Sequence, residues 1–124
     1  MDLKSVVLSG FLFLAIDAIY LSLMSDFFNK LVKSIQGSKI NFRISGAIIC
    51  YFFLIYGLNY FIIDRKKPPM EAALFGLVIY GVYESTNYAI FDKWNLKALT
   101  YDTLWGGILF YLTTYFTYKL KKLF

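Results

Sequence analysis

Four long apolar blocks dominate the chain, and short polar connections separate them. The blocks cover residues 5–24, 44–63, 70–91 and 101–118. Each has close to the ~20 residues with which an α-helix crosses ~30 Å of hydrocarbon. A helix satisfies its own backbone hydrogen bonds in lipid, so the pattern predicts four transmembrane helices. We expect one all-α integral membrane domain over residues 1–124, folded as a four-helix bundle.

The first connection has the pattern of a short amphipathic helix. Ser25-Asp26 is a suitable N-cap, and Gly37 is a suitable end. Between them the apolar residues fall on one helical face, namely Phe27, Phe28, Leu31, Val32 and Ile35. Helices of this kind lie in the membrane interface. We therefore predict an interfacial helix over about residues 26–36, between spans one and two.

Composition points to the same class of protein. Of the 124 residues, 59% are hydrophobic and 17% are charged, whereas a soluble domain is about half apolar and about a quarter charged. A soluble domain this small cannot bury so much apolar surface. Thirteen Lys+Arg against eight Asp+Glu give a net charge of +5, but the basic residues flank the apolar blocks, as they do in membrane proteins. We expect membrane lipids as partners, and no nucleic acid.

The chain has almost no cysteine or histidine. The sequence has no histidine and a single cysteine, Cys50, which lies in the second block. A disulfide within the chain and a His/Cys metal cluster are both excluded. We expect no metal site and no cofactor.

The basic residues on either side of the membrane bear on orientation. With four spans both termini share one side, which carries seven basic residues: Lys4, Arg65, Lys66, Lys67, Lys119, Lys121 and Lys122. The other side carries six: Lys30, Lys33, Lys39, Arg43, Lys93 and Lys97. Cytoplasmic loops carry the excess of Lys and Arg, and two of these six belong to the predicted interfacial helix. We expect cytoplasmic termini, although so even a balance leaves open insertion in both orientations.

Three carboxylic acids lie within the spans or at their edges. Asp17 is in span one, Glu84 in span three, and Asp102 at the start of span four. The alternating direction of the spans places these acids and Asn87 in the same half of the bilayer, opposite the termini. A charged residue at mid-membrane costs at least ~2.5–3.5 kcal/mol, so it is a functional-site hypothesis by default. Asp102 has a simpler explanation, since after an N-cap at Thr100 it would only complement the helix dipole.

Helical spacing extends each acid into a face that we expect to point into the bundle. Residues three or four apart share a face. These faces form a polar pocket roofed by Tyr20, Tyr80 and Trp105. Each face also carries a small residue that permits close helix approach, and these are Gly10, Gly76 and Gly106.

The spans contain no Lys, Arg or His, so the acids have no basic partner at depth. They are then either protonated or joined by a cation from outside. The first hypothesis is therefore a proton or small-cation channel or transporter, which in so short a chain calls for a homo-oligomer. Its ion-binding or relay residues are Asp17, Glu84 and Asp102, supported by Tyr20, Tyr80, Tyr83, Asn87 and Trp105.

Two other functions are consistent with the same residues. An intramembrane enzyme acting on a lipid would use a carboxyl as general acid/base, because paired carboxyls with different proton affinities suit that chemistry. The sequence offers no Ser/His, Cys/His or metal-ligand set that would strengthen this reading. A non-catalytic scaffold or assembly subunit would use the polar residues only to hold the helices together.

Several segments resemble a known family. The segment YGVYESTNYAIFDKWNLKALTYDTLWGG, residues 80–107, resembles the signature of the four-span membrane family known as domain of unknown function 2177 (DUF2177). The segment DAIYL at residues 17–21 resembles its first-span motif, and Asn41 followed by an apolar span with Tyr51 is similar to its second. The family pattern usually has Asp where this chain has Glu84. The resemblance implies a four-span fold and these site residues: Asp17, Tyr83, Asn87, Trp94, Asp102, Trp105 and Gly106.

Overall fold

Four helices make up the protein. The computed structural model describes residues 1–124, and its helices are α1 (Leu3–Gln36), α2 (Ile44–Leu58), α3 (Pro69–Ile90) and α4 (Leu96–Lys121). Residues Asn59–Ile63 continue α2 as a π-helical segment. The all-α prediction is confirmed, and each helix contains most of one predicted block. By length and composition, α1 and the combined helix Ile44–Ile63 are able to cross a membrane.

Helix α1 is longer than predicted, because it does not break at Ser25-Asp26. Its 34 residues correspond to about 51 Å at 1.5 Å per residue, well beyond the ~30 Å of a hydrocarbon core. The Ser25 hydroxyl donates to the Ser22 carbonyl at 3.2 Å, so it stays within one continuous helix and caps no new one. The predicted interfacial helix is therefore the C-terminal extension of α1. It ends at Gly37, whose left-handed φ of 81° glycine adopts without steric cost.

Helix α2 widens into its π-helical segment where Asn59 faces the interior. The fully buried Asn59 amide donates to Ser9 Oγ of α1 and to the Ile55 carbonyl, both at 2.9 Å. In a π-helix the bonds span five residues, as in the 2.8 Å bond from the Asp64 N–H to the Asn59 carbonyl. The segment thereby buries side chains on a broad face: Leu58, Asn59, Ile62 and Ile63.

Helices α3 and α4 pack closely against each other, and this contact depends on glycine. Gly76 lies against the backbone of Gly106, and a Cβ at Gly76 would overlap the Gly106 carbonyl. A Cβ at Gly106 would overlap the Tyr80 ring. Small residues permit this kind of approach between membrane helices. Gly10 is different, since a Cβ there would meet Ile55 at 3.6 Å, an ordinary van der Waals contact.

Helix α4 begins at Leu96 rather than near Tyr101. Its N-cap is Asn95, whose side-chain oxygen accepts a 2.8 Å hydrogen bond from the Ala98 N–H, a preferred role for Asn. The predicted cap, Thr100, lies inside the helix. Asp102 consequently sits at the end of the second turn, where the helix dipole has faded. The capping explanation of Asp102 is therefore wrong.

The middle of the bundle is apolar. We call its fully buried residues the central apolar layer: Phe13, Leu58, Leu109 and Phe110. The Phe13 and Phe110 rings meet edge to face with centroids 5.4 Å apart, a favoured aromatic geometry. The outer faces of all four helices also expose large apolar side chains, including Ile19, Phe53, Val78 and Ile108. A surface of this kind suits a lipid environment.

An ion pair joins the start of α1 to the end of α4. Asp2 caps α1 by accepting a 3.2 Å hydrogen bond from the Lys4 N–H, and its carboxylate lies 2.9 Å from Lys121 Nζ. The Lys121 hydrogen bond, helped by one from Ser5, holds the pKa of the exposed Asp2 carboxyl below its usual range. The first residues of α1 and the last of α4 therefore lie at the same end of the bundle.

Candidate functional site

Asp17 connects three helices through its two carboxylate oxygens. Oδ2 accepts a 2.5 Å hydrogen bond from the Tyr51 hydroxyl of α2, and Oδ1 accepts a 2.8 Å bond from Trp105 Nε1 of α4. The residue is 6% exposed. Each oxygen has a protein donor, which removes much of the cost of burying the group. The sequence does not identify either partner, because both lie far from Asp17 in the chain.

Glu84 of α3 and Asp102 of α4 form a second acidic group, separate from Asp17. Glu84 is 1% exposed, and its Oε1 accepts a 2.8 Å hydrogen bond from Trp94 Nε1. The Asp102 carboxyl lies within interaction distance of the Glu84 carboxyl. Glu84 is buried and Asp102 is half-buried, and two neighbouring acids without a basic partner favour a proton or another cation beside them. We refer to Glu84 and Asp102 as the acid pair.

An aromatic stack lies between Asp17 and the acid pair. The rings of Tyr20 and Trp105 are parallel within 3°, with centroids 4.5 Å apart. Trp105 bonds to Asp17, while the buried Tyr20 hydroxyl lies beside the Asp102 carboxyl without a well-formed hydrogen bond. All three acids and two of the predicted roof residues are therefore within one connected group of side chains.

The acid pair lines a cavity of about 580 Å³ at the end of the bundle away from the termini. The C-terminal half of α1, the α1–α2 connection, α3, the α3–α4 connection and the start of α4 surround it. Seven of its 13 lining residues are hydrophobic, and none is Lys or Arg. Glu84 is the most deeply buried of the lining residues. A volume of this size is typical of small-molecule sites.

The remaining predicted residues lie around this group in different ways. Asn87 is buried one turn beyond Glu84 on α3. Tyr83 is 59% exposed and lies on the cavity wall, so it faces outward more than the pocket prediction assumed. Tyr80 packs on Gly106 and meets Phe110 edge to face at 6.1 Å. Tyr80 thus contributes to the packing of α3 on α4.

A second polar layer lies on the terminal side of the central apolar layer. Ser9 is one helical turn from Phe13 on α1, and Thr113 is one turn from Leu109 on α4; both are fully buried. Asn59 joins this level through its bond to Ser9. The central apolar layer therefore separates these polar groups from the carboxyls. Its hydroxyls recur at helical spacing along the chain, but this layer was not among the predicted sites.

Metal binding would need more ligands than the acid pair supplies. No group of three or more His, Cys, Asp or Glu side chains lies close enough together to hold a metal ion. The carboxyls could hold a proton or a single monovalent cation, with help from neighbouring aromatic faces.

Comparison with models of protein families assigns the chain to a family. The family described as "Predicted membrane protein (DUF2177)" matches residues 3–119, which include both acidic groups and every residue that lines the cavity. The chain belongs to the DUF2177 family. Comparisons with curated proteins and with solved structures gave no match. The resemblance found in the sequence is thus confirmed, and this DUF2177 chain is a membrane protein with four helices.

Proposed function

We propose that this DUF2177 protein is a membrane carrier for protons or small cations, with the acid pair as its cation-binding site. One observation carries the proposal. Glu84 is almost completely buried beside Asp102, yet it lines a cavity without any Lys or Arg. Neither acid belongs to a salt bridge. The site therefore needs a positive charge that the protein does not supply, and the cavity gives that charge a route.

Asp17 has a positioning role in this proposal. Both of its oxygens accept hydrogen bonds, from Tyr51 and Trp105, so little of its charge is available for a moving ion. Its contacts fix α1 against α2 and α4 next to the acid pair. We therefore assign cation binding to Glu84 and Asp102, and alignment of the helices to Asp17.

The central apolar layer favours a carrier over an open channel. Phe13 and Phe110 are fully buried and in contact, and a hydrophobic constriction stops ions by excluding water. The cavity reaches the acid pair from one end only. Passage to the other side would require this layer to move, which is the behaviour of a gated or alternating site.

The proposal includes four membrane spans with cytoplasmic termini. Helix α3 has 22 residues and α4 has 26, or about 33 and 39 Å at 1.5 Å per residue, enough for ~30 Å of hydrocarbon. Both expose large apolar side chains, such as Val82 and Leu104. Membrane lipids are the partners of this outer surface. A homo-oligomer is also proposed, and native mass spectrometry would measure its size.

An intramembrane enzyme is the second candidate, and the cavity volume favours it. About 580 Å³ is more than a proton requires and lies within the range of ligand pockets. A protonated carboxyl beside a charged one could act as general acid and base on a lipid. Lipid that co-purifies in modified form, identified by mass spectrometry, would support this candidate over the carrier.

Flux measurements in proteoliposomes test the carrier. Wild-type protein should dissipate an imposed proton or cation gradient, read by an internal pH-sensitive dye or by ion release. Glu84→Gln and Asp102→Asn should lower the initial rate at least tenfold. The matched control is Glu71→Gln, since Glu71 is an exposed acid on the same helix. Unchanged flux in Glu84→Gln contradicts the proposal, and inactive wild-type protein combined with destabilised acid variants indicates a scaffold.

A further inference from the structure

Part of the cavity wall is apolar. Leu21, Phe28 and Val32 come from one face of α1, Phe42 comes from the α1–α2 connection, and all four line the space that the acid pair faces. A proton or a hydrated metal ion gains nothing from such walls. Burial of an apolar group against them would be favourable in proportion to its area.

Aromatic and polar groups also lie at defined places in the cavity. Trp94 lines it and donates its N–H to Glu84, so the edge of the indole ring points at the carboxyl. Three other aromatic residues, Phe28, Phe42 and Tyr83, also line the cavity. Aromatic faces attract cations, and attract organic ammonium ions in particular. Asn29 and Gln36 line the outer part, where they bond to the backbone of Ile40 and of residues 38–39 and so hold the connection in place.

We propose that the cation bound at the acid pair is an organic ammonium ion with an apolar substituent. Its positive nitrogen would lie between Glu84 and Asp102 beside Trp94, and its apolar part would contact the α1 wall. No Lys or Arg lines the cavity, so a carboxylate of the acid pair is available to one ammonium group. This inference rests on the proposed function and narrows its substrate class.

The structure argues against a divalent metal in the same place. Calcium takes six to eight oxygen ligands, and magnesium needs near-ideal octahedral coordination. Only two carboxyls meet here, and no three His, Cys, Asp or Glu side chains lie close enough together to hold a metal ion. The apolar part of the wall, formed by Leu21, Phe28, Val32 and Phe42, offers no replacement for a metal's hydration shell.

Binding to the purified full chain in nanodiscs tests the inference. The probe is benzyltrimethylammonium, measured by isothermal titration calorimetry, with benzyl alcohol and benzenesulfonate as neutral and anionic counterparts. We expect saturable binding of the ammonium ion alone, weakened at least tenfold by Glu84→Gln and unchanged by Glu71→Gln. Val32→Trp should abolish binding while leaving both acids in place, because it fills the wall. This second variant covers the case in which Glu84→Gln does not fold.

The outcomes separate this inference from the carrier proposal. Absence of saturable binding, equal binding of benzenesulfonate, or equal competition by Na⁺ would each overturn the organic ammonium inference. If proton flux then still depends on Glu84, the carrier proposal stands without it. Ammonium binding that depends on Glu84 and Val32, without flux of any cation, supports the ligand class and overturns the carrier.

Discussion

The indole N–H of Trp94 donates to a carboxylate oxygen of Glu84 over 2.8 Å, although Trp94 lies in the connection after α3. The Trp94 ring also packs beside Phe91, the C-cap of α3, with centroids 6.2 Å apart. The connection between α3 and α4 therefore folds back over the end of α3 and orients an acid ten residues earlier. It is part of the acid site as well as a link between helices.

Trp94→Phe should weaken both the fold and the site. It removes the donor to a buried carboxyl, which costs about 1–3 kcal/mol, and it frees Glu84 to change its orientation. We expect a lower unfolding temperature and severalfold lower flux per folded protein. Tyr88→Phe is the control, because this exposed tyrosine of α3 lies outside the cavity wall. Equal behaviour of the two variants would show that the indole N–H has no such role.

Asp17 and Tyr51 should be energetically coupled. Asp17→Asn and Tyr51→Phe each disturb a 2.5 Å hydrogen bond and should each lower the free energy of unfolding by about 1–3 kcal/mol. The double variant should lose less than the sum, with a coupling of about 0.5–3 kcal/mol. Unfolding in mixed micelles measures all three. Simple additivity would mean that the bond contributes nothing.

Gly106→Ala should separate α3 from α4. The added methyl group would overlap the Tyr80 ring, and such overpacking typically costs about 1–3 kcal/mol. Gly46→Ala is the matched control in α2, where a Cβ would meet no atom within 4 Å. We expect a clear loss of thermal stability in the first variant only. Comparable stability of both variants would contradict the close approach at Gly106.

Phe13→Ala should open the central apolar layer. Removal of the ring leaves Phe110 without its edge-to-face partner and lets water approach between the two polar layers. We expect a leak of protons at least tenfold above wild type that persists when Glu84→Gln is added. Phe13→Leu keeps most of the side-chain volume and should not leak protons. If the folded Phe13→Ala variant does not leak protons, the central apolar layer is not the barrier to them.

Low pH should weaken the ion pair between Asp2 at the start of α1 and Lys121 at the end of α4. The pKa of Asp2 is lowered in the folded protein, chiefly by its hydrogen bond to Lys121. Its contribution to stability is therefore complete above the unfolded value near 3.9 and is lost as pH falls through the lower folded value. Lys121→Met should remove this part of the pH dependence. Acid unfolding curves of the two proteins measure it, and identical curves below pH 4 would contradict the role of the pair.

The number and type of helices could be predicted because continuous apolar runs of about 20 residues have few other solutions. Helix ends were harder to predict. Ser25 and Asp26 have the chemistry of an N-cap, but both are exposed on α1, where a helix tolerates them. Asn95 carried the true cap signal for α4, and Thr100 competed with it because the apolar run begins later.

The relative depth of the acids followed from the alternating direction of the helices, but their partners did not. Tyr51 and Trp94 bond to Asp17 and Glu84 through tertiary contacts. No periodicity in the sequence encodes such contacts. The π-helical segment at Asn59 was missed for the same reason. Its wide turn depends on the fit of the buried amide against Ser9 of α1.

The position of the cavity at a single end of the bundle gives the molecule a direction. In this conformation the acid pair opens toward one compartment, so inverting the protein would exchange the compartment that the site faces. Flanking charges of seven against six impose little preference. Two opposed populations in one bilayer would present the acid pair to both compartments. Control of insertion, by a partner or by one added lysine, would then decide which compartment meets the open site.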